Sequence, residues 1–141
     1  MKNKLGANGD ITISDSTVCV DQAGHNQYNK ILNDEDLAKK ESKVSVERMK
    51  KYTGGKSGKQ SQYNLGITVD HNIAQVEGAG SCIFIHVWEG PKIGTAGCTA
   101  MDVESMKKLY AWFDSEKDQA GLVQLPKNVY NSLVKNGKLK L

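Results

Sequence analysis

The stretch from Ser81 to Trp88 constrains the fold more than any other part of the chain. It is rich in β-branched and aromatic residues and is apolar on both alternating faces, a pattern typical of a strand covered on both sides. The chain has 141 residues, enough for one ordinary domain with a real core. We therefore predict a central strand within a single mostly β or α+β domain that carries a few short helices.

Periodicity and turn residues predict the other elements. Asp102 is a suitable N-cap for a helix with one apolar stripe, and Gly137 is a suitable end for the last helix. The predicted elements are a helix over 25–32, a short helix within 44–52, a strand over 63–69, a helix from Asp102 to about Asp114, a strand over 121–126 and a helix over 127–135. Residues 54–59 are predicted to form a flexible loop, because they are almost entirely Gly, Lys and Ser.

Charge and hydropathy limit the classes of partner. The net charge is +3 with lysines spread along the chain, which indicates a solvated basic surface and only weakly favours an anionic polymer. We expect no nucleic-acid partner and a monomer. No apolar run is long enough to span a bilayer, and the first residues do not form a signal peptide. These features fit either an intracellular protein or a trimmed form of an exported one.

The chain has three cysteines, an odd number without C-x-x-C spacing. One disulfide would still leave one thiol over, so a disulfide-stapled scaffold is not expected. The spacing of the Cys and His residues matches no zinc pattern, and we predict no metal site and no cofactor.

His86 ends the apolar run, and a short Gly- and Pro-containing loop returns the chain to Cys98. A thiol becomes a good nucleophile when an imidazole or a helix N-terminus favours the thiolate, and Cys98 lies close to the predicted helix start. Gly97 has no side chain, so the amides at 97 and 98 can both point at a developing oxyanion. A single buried Cys or His is more commonly structural, and it is the pairing that favours catalysis. Cys82 shares the predicted strand face of His86 but has no glycine or helix start beside it, and is interpreted as core.

A third group should orient the imidazole. The sequence offers the carboxylates of Asp70 and Glu89, or a backbone carbonyl near Val87. His71, at the end of a predicted strand, is the second candidate histidine of the site.

The segments Gly80-Ser-Cys-Ile-Phe-Ile-His-Val-Trp88 and Thr95-Ala-Gly-Cys-Thr-Ala-Met101 resemble the catalytic motif of the L,D-transpeptidases, the YkuD-like family. Three further segments resemble that family in the same order. They are Val18-Cys-Val-Asp21 with Tyr28-Asn29, Leu65-Gly-Ile-Thr-Val-Asp-His-Asn72, and Trp112-Phe-Asp114 with Leu122-Val-Gln-Leu-Pro126. The resemblance covers about residues 17–126. Ala96 and Ala100 stand where the best-known members carry a histidine and an arginine, and the spacing from His86 to Cys98 is shorter.

The resemblance implies a YkuD-like, β-sandwich-type catalytic domain over residues 17–141, with residues 1–16 as an N-terminal segment at a trimmed start. It implies a cysteine transferase of cell-wall biogenesis that attacks the L,D-peptide bond of peptidoglycan stem peptides, forms a thioester and cross-links a second stem. An L,D-carboxypeptidase or amidase that uses water as acceptor, and a non-catalytic wall-binding module, are the alternatives. The implied location is the cell envelope or periplasm, and carbapenems are the implied inhibitors.

The resemblance also implies roles for single residues. Cys98 is the nucleophile, His86 the general base and then acid, the Val87 backbone carbonyl the orienting group, and the Gly97 amide an oxyanion donor. The residues assigned to substrate binding are His71, Asn72, Trp88 and Thr95.

Overall fold

The computed structural model describes residues 3–4, 10–52, 62–116 and 120–139. Within these ranges the chain forms short strands, three α-helices and two 3₁₀ turns. The strands are β1 (Asn3–Lys4), β2 (Asp10–Ile11), β3 (Thr17–Val20), β4 (Ile31–Asn33), β5 (Val46–Arg48), β6 (Gly66–Thr68), β7 (Phe84–Val87) and β8 (Thr99–Met101). The helices are α1 (Glu35–Ala38), α2 (Val103–Glu116) and α3 (Lys127–Lys135), and the 3₁₀ turns are Met49–Tyr52 and Gln62–Asn64.

β3 is the centre of the first three-stranded sheet, which has the order β4-β3-β5. Both neighbours are antiparallel to it, with Cys19 opposite Ile31 on one side and Glu47 on the other. All four residues of β3 are buried, as expected for a β-branched run between two partners. β1 and β2 form a separate antiparallel pair.

β7 is the centre of the second sheet, which has the order β6-β7-β8. β6 is antiparallel to β7, whereas β8 is parallel to it. All four residues of β7 are buried, so the prediction of a central strand is confirmed. The α+β class is also confirmed.

The two faces of β7 pack into two different hydrophobic clusters. Phe84 belongs to a cluster that also contains Cys19 of β3, and this cluster therefore lies between the two sheets. Ile85 and Val87 pack with Met106 of α2, so this second cluster lies between the second sheet and the helix. The alternation of side chains along a strand thus places His86 on the face that looks toward the first sheet.

A disulfide joins Cys19 of β3 to Cys82, just before β7, with Cα atoms 5.9 Å apart. It crosslinks β3, the central strand of the first sheet, to the segment just before β7 of the second. Cys82 is buried, which confirms its interpretation as a core residue, but its predicted place on the strand is wrong. It lies outside β7 with a φ of +55°, and it is half of a bridge.

Asn29 holds Cys82 in this left-handed conformation. Its side-chain oxygen accepts a hydrogen bond from the Cys82 N–H at 2.8 Å, and its amide donates to the carbonyls of His71 and Asn72 at 2.7 and 3.0 Å. One side chain therefore joins the turn before β4 to two separate points of the second half of the chain.

The predicted helix over 25–32 is wrong: the chain makes turns there and then enters β4. Gly24 and Asn29 both have left-handed backbones, with φ of 80° and 60°, which a continuous helix does not allow. The predicted helix within 44–52 is wrong in its first part, which is β5, and the remainder is a 3₁₀ turn. The flexible loop predicted over 54–59 lies outside the described residues.

The helices after the site form as predicted, but the segment between them does not. α2 and α3 both match the periodicity, and Gly137 ends α3 with a φ of +66°. Residues 121–126 form no strand and are exposed. The apolar side chains of α3 are not buried: Val129 and Val134 are 39% and 45% exposed. In the described part of the chain no helix is both long and apolar enough to cross a membrane.

Candidate active site

His86 is held on β7 with only 3% of its surface exposed. Its Nδ1 lies 2.8 Å from the carbonyl oxygen of Val87. A carbonyl oxygen can only accept a hydrogen bond, so Nδ1 carries the proton and donates. The neutral ring then has its lone pair on Nε2, which is the form that a general base requires. The contact is the one that the resemblance implies, and it involves the Val87 carbonyl rather than the carboxylate of Asp70 or Glu89.

Cys98 reaches the neighbourhood of His86 because β8 runs parallel to β7. The register pairs His86 with Ala100, and Cys98 immediately precedes the first residue of β8. Continuing the strand spacing back from Ala100 to Cys98 gives a Cα separation of about 8 Å between His86 and Cys98. Both residues also adjoin the cluster between the sheets, since Cys98 packs against it and its member Tyr63 contacts the His86 ring.

The expectation that Cys98 lies at a helix start is wrong. β8 stands between Cys98 and α2, whose first turn is capped by Asp102: its Oδ1 accepts from the Ser105 N–H at 2.8 Å. The influence of a helix N-terminus fades within its first turn, so α2 does not activate the thiol.

The surroundings of Cys98 favour a protonated thiol. Burial is the largest influence on the pKa of Cys98 and raises it. Hydrogen bonds from the Phe84 backbone and the Tyr63 side chain lower that pKa, whereas the Glu47 carboxylate raises it. The Cys98 thiol itself donates a long hydrogen bond of 3.6 Å to the Cys82 carbonyl. With its pKa raised, the thiol is neutral at physiological pH and needs a base to ionise.

Thr95 and Gly97 shape the turn before the thiol. The Thr95 hydroxyl donates to the carbonyl of Cys98 at 2.5 Å and accepts from the Gly97 N–H at 3.4 Å. Gly97 has a φ of +147°, and a Cβ atom there would come within 3.3 Å of the Ile83 side chain. Thr95, which the sequence analysis assigns to substrate binding, is thus an exposed residue whose hydroxyl stabilises this turn.

The other residues assigned to substrate binding make hydrogen bonds that hold a loop and a strand end. His71 Nε2 donates to the Ala79 carbonyl at 2.6 Å, and Asn72 donates to the Gly80 carbonyl at 2.8 Å, so both side chains close one loop. Trp88 is half-buried. Its backbone N–H donates to the Met101 carbonyl at 2.8 Å and so extends the pairing of β7 with β8.

The site contains two polar residues that the sequence analysis does not identify. Tyr63 is 1% exposed, and its hydroxyl donates to Oε1 of Glu47. The ring of Tyr63 makes edge contacts with Phe84 at 5.5 Å and with His86 at 5.4 Å between ring centres. Burial raises the pKa of Glu47, and its hydrogen bond with Tyr63 and the charge of His86 oppose that rise.

Neither of the two best-formed cavities in the described part of the chain is lined by His86 or Cys98. One, of about 330 Å³, lies over the disulfide and the loop containing His71. The other, of about 550 Å³, lies between the second sheet and α2 and reaches Thr99, the neighbour of Cys98. His86 and Cys98 therefore line neither of these two cavities.

Among the described residues, no group of three or more His, Cys, Asp or Glu side chains is arranged to hold a metal ion. The chemistry available from these residues is that of a thiol, an imidazole and a phenol–carboxylate pair. The chain was compared with family models, curated proteins and solved structures, and no match was found in any of the three comparisons.

Proposed function

We propose that this chain is a cysteine acyltransferase that cleaves the L,D-peptide bond of peptidoglycan stem peptides and cross-links them through a thioester. One observation carries the proposal: the Val87 carbonyl fixes the Nδ1–H tautomer of His86, and Cys98 immediately precedes β8, the strand that pairs with His86. This arrangement brings a base of the right form and a thiol to neighbouring segments of one sheet. The motif likeness to YkuD-like L,D-transpeptidases supplies the substrate class.

In the proposed reaction, Nε2 of His86 takes the proton of the Cys98 thiol as the sulfur attacks the carbonyl carbon of the L,D bond. The Cys98 amide donates to the resulting oxyanion, and the Gly97 amide joins it by leaving its long hydrogen bond to the Thr95 hydroxyl. The intermediate collapses when His86 returns the proton to the leaving nitrogen, releasing D-alanine and leaving the thioester. The amine of a second stem then attacks, and the thiol is restored.

The neutral resting state of Cys98 fits this sequence of steps. A thiol whose pKa is raised by burial is not a free thiolate that reacts with every electrophile. Proton transfer to His86 therefore accompanies attack on a bound substrate, and we expect the loss of His86 to slow acylation strongly.

The fold and the disulfide support the rest of the proposal. Two sheets that share a core across the site are consistent with a YkuD-like, sandwich-type catalytic domain over residues 17–141. A buried disulfide between the sheets persists in oxidising compartments, which favours the cell envelope over the cytosol.

Carbapenem acylation tests the nucleophile directly. Intact-mass analysis of the oxidised protein after exposure to a carbapenem should show a single adduct that maps to Cys98, the one cysteine outside the disulfide. Cys98→Ala should show no adduct, and His86→Gln should remain folded but acylate far more slowly. Folded parent protein without any adduct would contradict the proposal.

The acceptor is tested with purified stem peptides. Incubation of the parent with a tetrapeptide stem should release D-alanine, and an added acceptor stem should give cross-linked dimers. Shortened stems without dimers would assign the protein as a carboxypeptidase instead. Binding without turnover, unchanged in Cys98→Ser, would assign it as a wall-binding module.

A further inference from the structure

Glu47 and Tyr63 come from separate elements and meet beside the thiol. Glu47 is on β5 of the first sheet, and Tyr63 is in the 3₁₀ turn before β6 of the second. The Tyr63 hydroxyl donates to Glu47, while its ring lies against the imidazole of His86. Cys98 packs against the hydrophobic cluster to which Tyr63 belongs. The polar atoms of Glu47 and Tyr63 add no apolar surface to the core. A hydrogen-bonded carboxylate and phenol are therefore unusual partners for a hydrophobic cluster.

We propose that Glu47 and Tyr63 are a pair of positioning residues that control when the Cys98 thiol ionises. The hydroxyl of Tyr63 has one proton to donate, and it donates that proton to the Glu47 carboxylate. Cys98 packs against the cluster that contains Tyr63, and the Tyr63 hydroxyl lowers the pKa of the Cys98 thiol. At rest the proton is directed to the carboxylate. When Cys98 becomes a thiolate, the Tyr63 O–H turns to the sulfur and stabilises its negative charge. The proton of the hydroxyl stays on the phenol oxygen throughout.

The two members act on the thiol in opposite directions. The carboxylate of Glu47 is a nearby negative charge, which disfavours a second negative charge on Cys98. The hydroxyl of Tyr63 is a hydrogen-bond donor, which favours the thiolate. The charged and titratable groups around the pair are His86, whose charge favours an ionised Glu47, and Asp21, whose charge disfavours it.

Two isosteric substitutions separate these effects. Glu47→Gln keeps an oxygen acceptor for the phenol and removes the charge, so the thiol should ionise at lower pH. Tyr63→Phe keeps the ring and removes the donor, so the thiol should ionise at higher pH. We expect alkylation of Cys98 near neutral pH to change about tenfold in each direction, which corresponds to a shift of about one pKa unit or about 1.4 kcal/mol.

The measurement is the pH profile of iodoacetamide alkylation, with the disulfide intact so that Cys98 is the only free thiol. The matched controls are Tyr110→Phe, which removes a hydroxyl on the far side of the second sheet, and Glu35→Gln, which removes a carboxylate on α1. Both controls should reproduce the parent profile. Circular dichroism reports whether each variant is folded.

The expected result is a profile shifted to lower pH for Glu47→Gln and to higher pH for Tyr63→Phe. Shifts in the same direction, or profiles equal to those of the controls, would overturn the proposal. A variant that merely loosens the core exposes the thiol and alkylates faster, so slower alkylation of Tyr63→Phe is not a packing effect. If Tyr63→Phe does not fold, Glu47→Asp is measured beside Glu47→Gln, because it disturbs the packing but keeps the negative charge. A shift to lower pH in Glu47→Gln that Glu47→Asp does not share supports the proposal, and equal shifts in the two variants overturn it.

The proposal deepens the proposed function, because its catalytic meaning rests on Cys98 being the nucleophile. The alkylation experiment needs no peptidoglycan and therefore stands apart from that function. Opposite shifts without carbapenem acylation would keep the control of the thiol and remove the transpeptidase. Acylation without the shifts would keep the transpeptidase and remove the control of the thiol by Glu47 and Tyr63.

Discussion

Reduction of the Cys19–Cys82 disulfide should destabilise the protein by an amount that depends on the length of the loop that the disulfide closes. The two cysteines are 63 residues apart in sequence. Closing a loop of that length removes about 14 cal/mol/K of entropy from the unfolded chain, which corresponds to about 4 kcal/mol at 25 °C. Since a domain of this size is typically stable by only about 5–15 kcal/mol, the reduced protein should lose much of its stability.

Urea unfolding followed by circular dichroism measures the effect, with and without a phosphine reductant. With a urea dependence of about 2 kcal/mol/M, the unfolding midpoint should fall by about 2 M on reduction. The double variant Cys19→Ser/Cys82→Ser should behave like the reduced parent and should no longer respond to the reductant. Cys98→Ser is the matched control, because it removes a thiol that is outside the bridge, and it should respond as the parent does.

A loss of less than about 1 kcal/mol on reduction would refute this reasoning. It would mean that the unfolded chain already holds the two sheets together, or that the bridge is not formed in solution. Counting the reactive thiols of the unfolded, non-reduced protein separates these cases. One thiol indicates the bridge, and three indicate its absence.

Two further predictions concern the backbone around the site. Gly97→Ala should lower the free energy of unfolding by about 1–2 kcal/mol, because alanine is strained at a φ of +147° and its Cβ meets the Ile83 side chain. Thermal melts measure the effect. Gly94→Ala is the control, because a Cβ at position 94 has open space around it. Asp102→Ala should lower the melting temperature, because it removes both hydrogen bonds of the Asp102 side chain with Ser105 at the start of α2. These bonds lower the pKa of Asp102, so its contribution is present above about pH 4 and should be lost as the pH falls through the folded-state pKa.

The parts of the fold that a local pattern determines were predictable from the sequence. β7 is apolar on both faces and is central, and α2 has a cap and one apolar stripe and packs with it. The helix predicted over 25–32 does not form, because the apolar spacing there also fits a turn followed by an edge strand. Tyr28 and Ile31 are spaced as on a helix, but they reach the core from a turn and from an edge strand. Pairing with β3 outweighs helix propensity there.

The parts of the site that depend on distant segments were not predictable. The Val87 carbonyl is adjacent to His86 in sequence, and that contact was expected. Glu47 lies in the most polar stretch of the chain and Tyr63 opens a predicted strand, so nothing local marks them as partners. The pairing of Cys19 with Cys82 needs the approach of two sheets, which the spacing of cysteines does not encode.

The position of Cys98 beside the bridge has a consequence for how the protein matures. Of the three disulfides that three cysteines can form, two consume the proposed nucleophile. Cys82 and Cys98 are only 16 residues apart, against 63 for the native pair, so in an unfolded chain the wrong contact forms about eight times more readily. Each newly oxidised chain must therefore either assemble its sheets before a bridge forms or exchange the first bridge for the native one. The yield of protein with the native Cys19–Cys82 bridge should thus depend on the presence of a thiol–disulfide isomerising environment during folding.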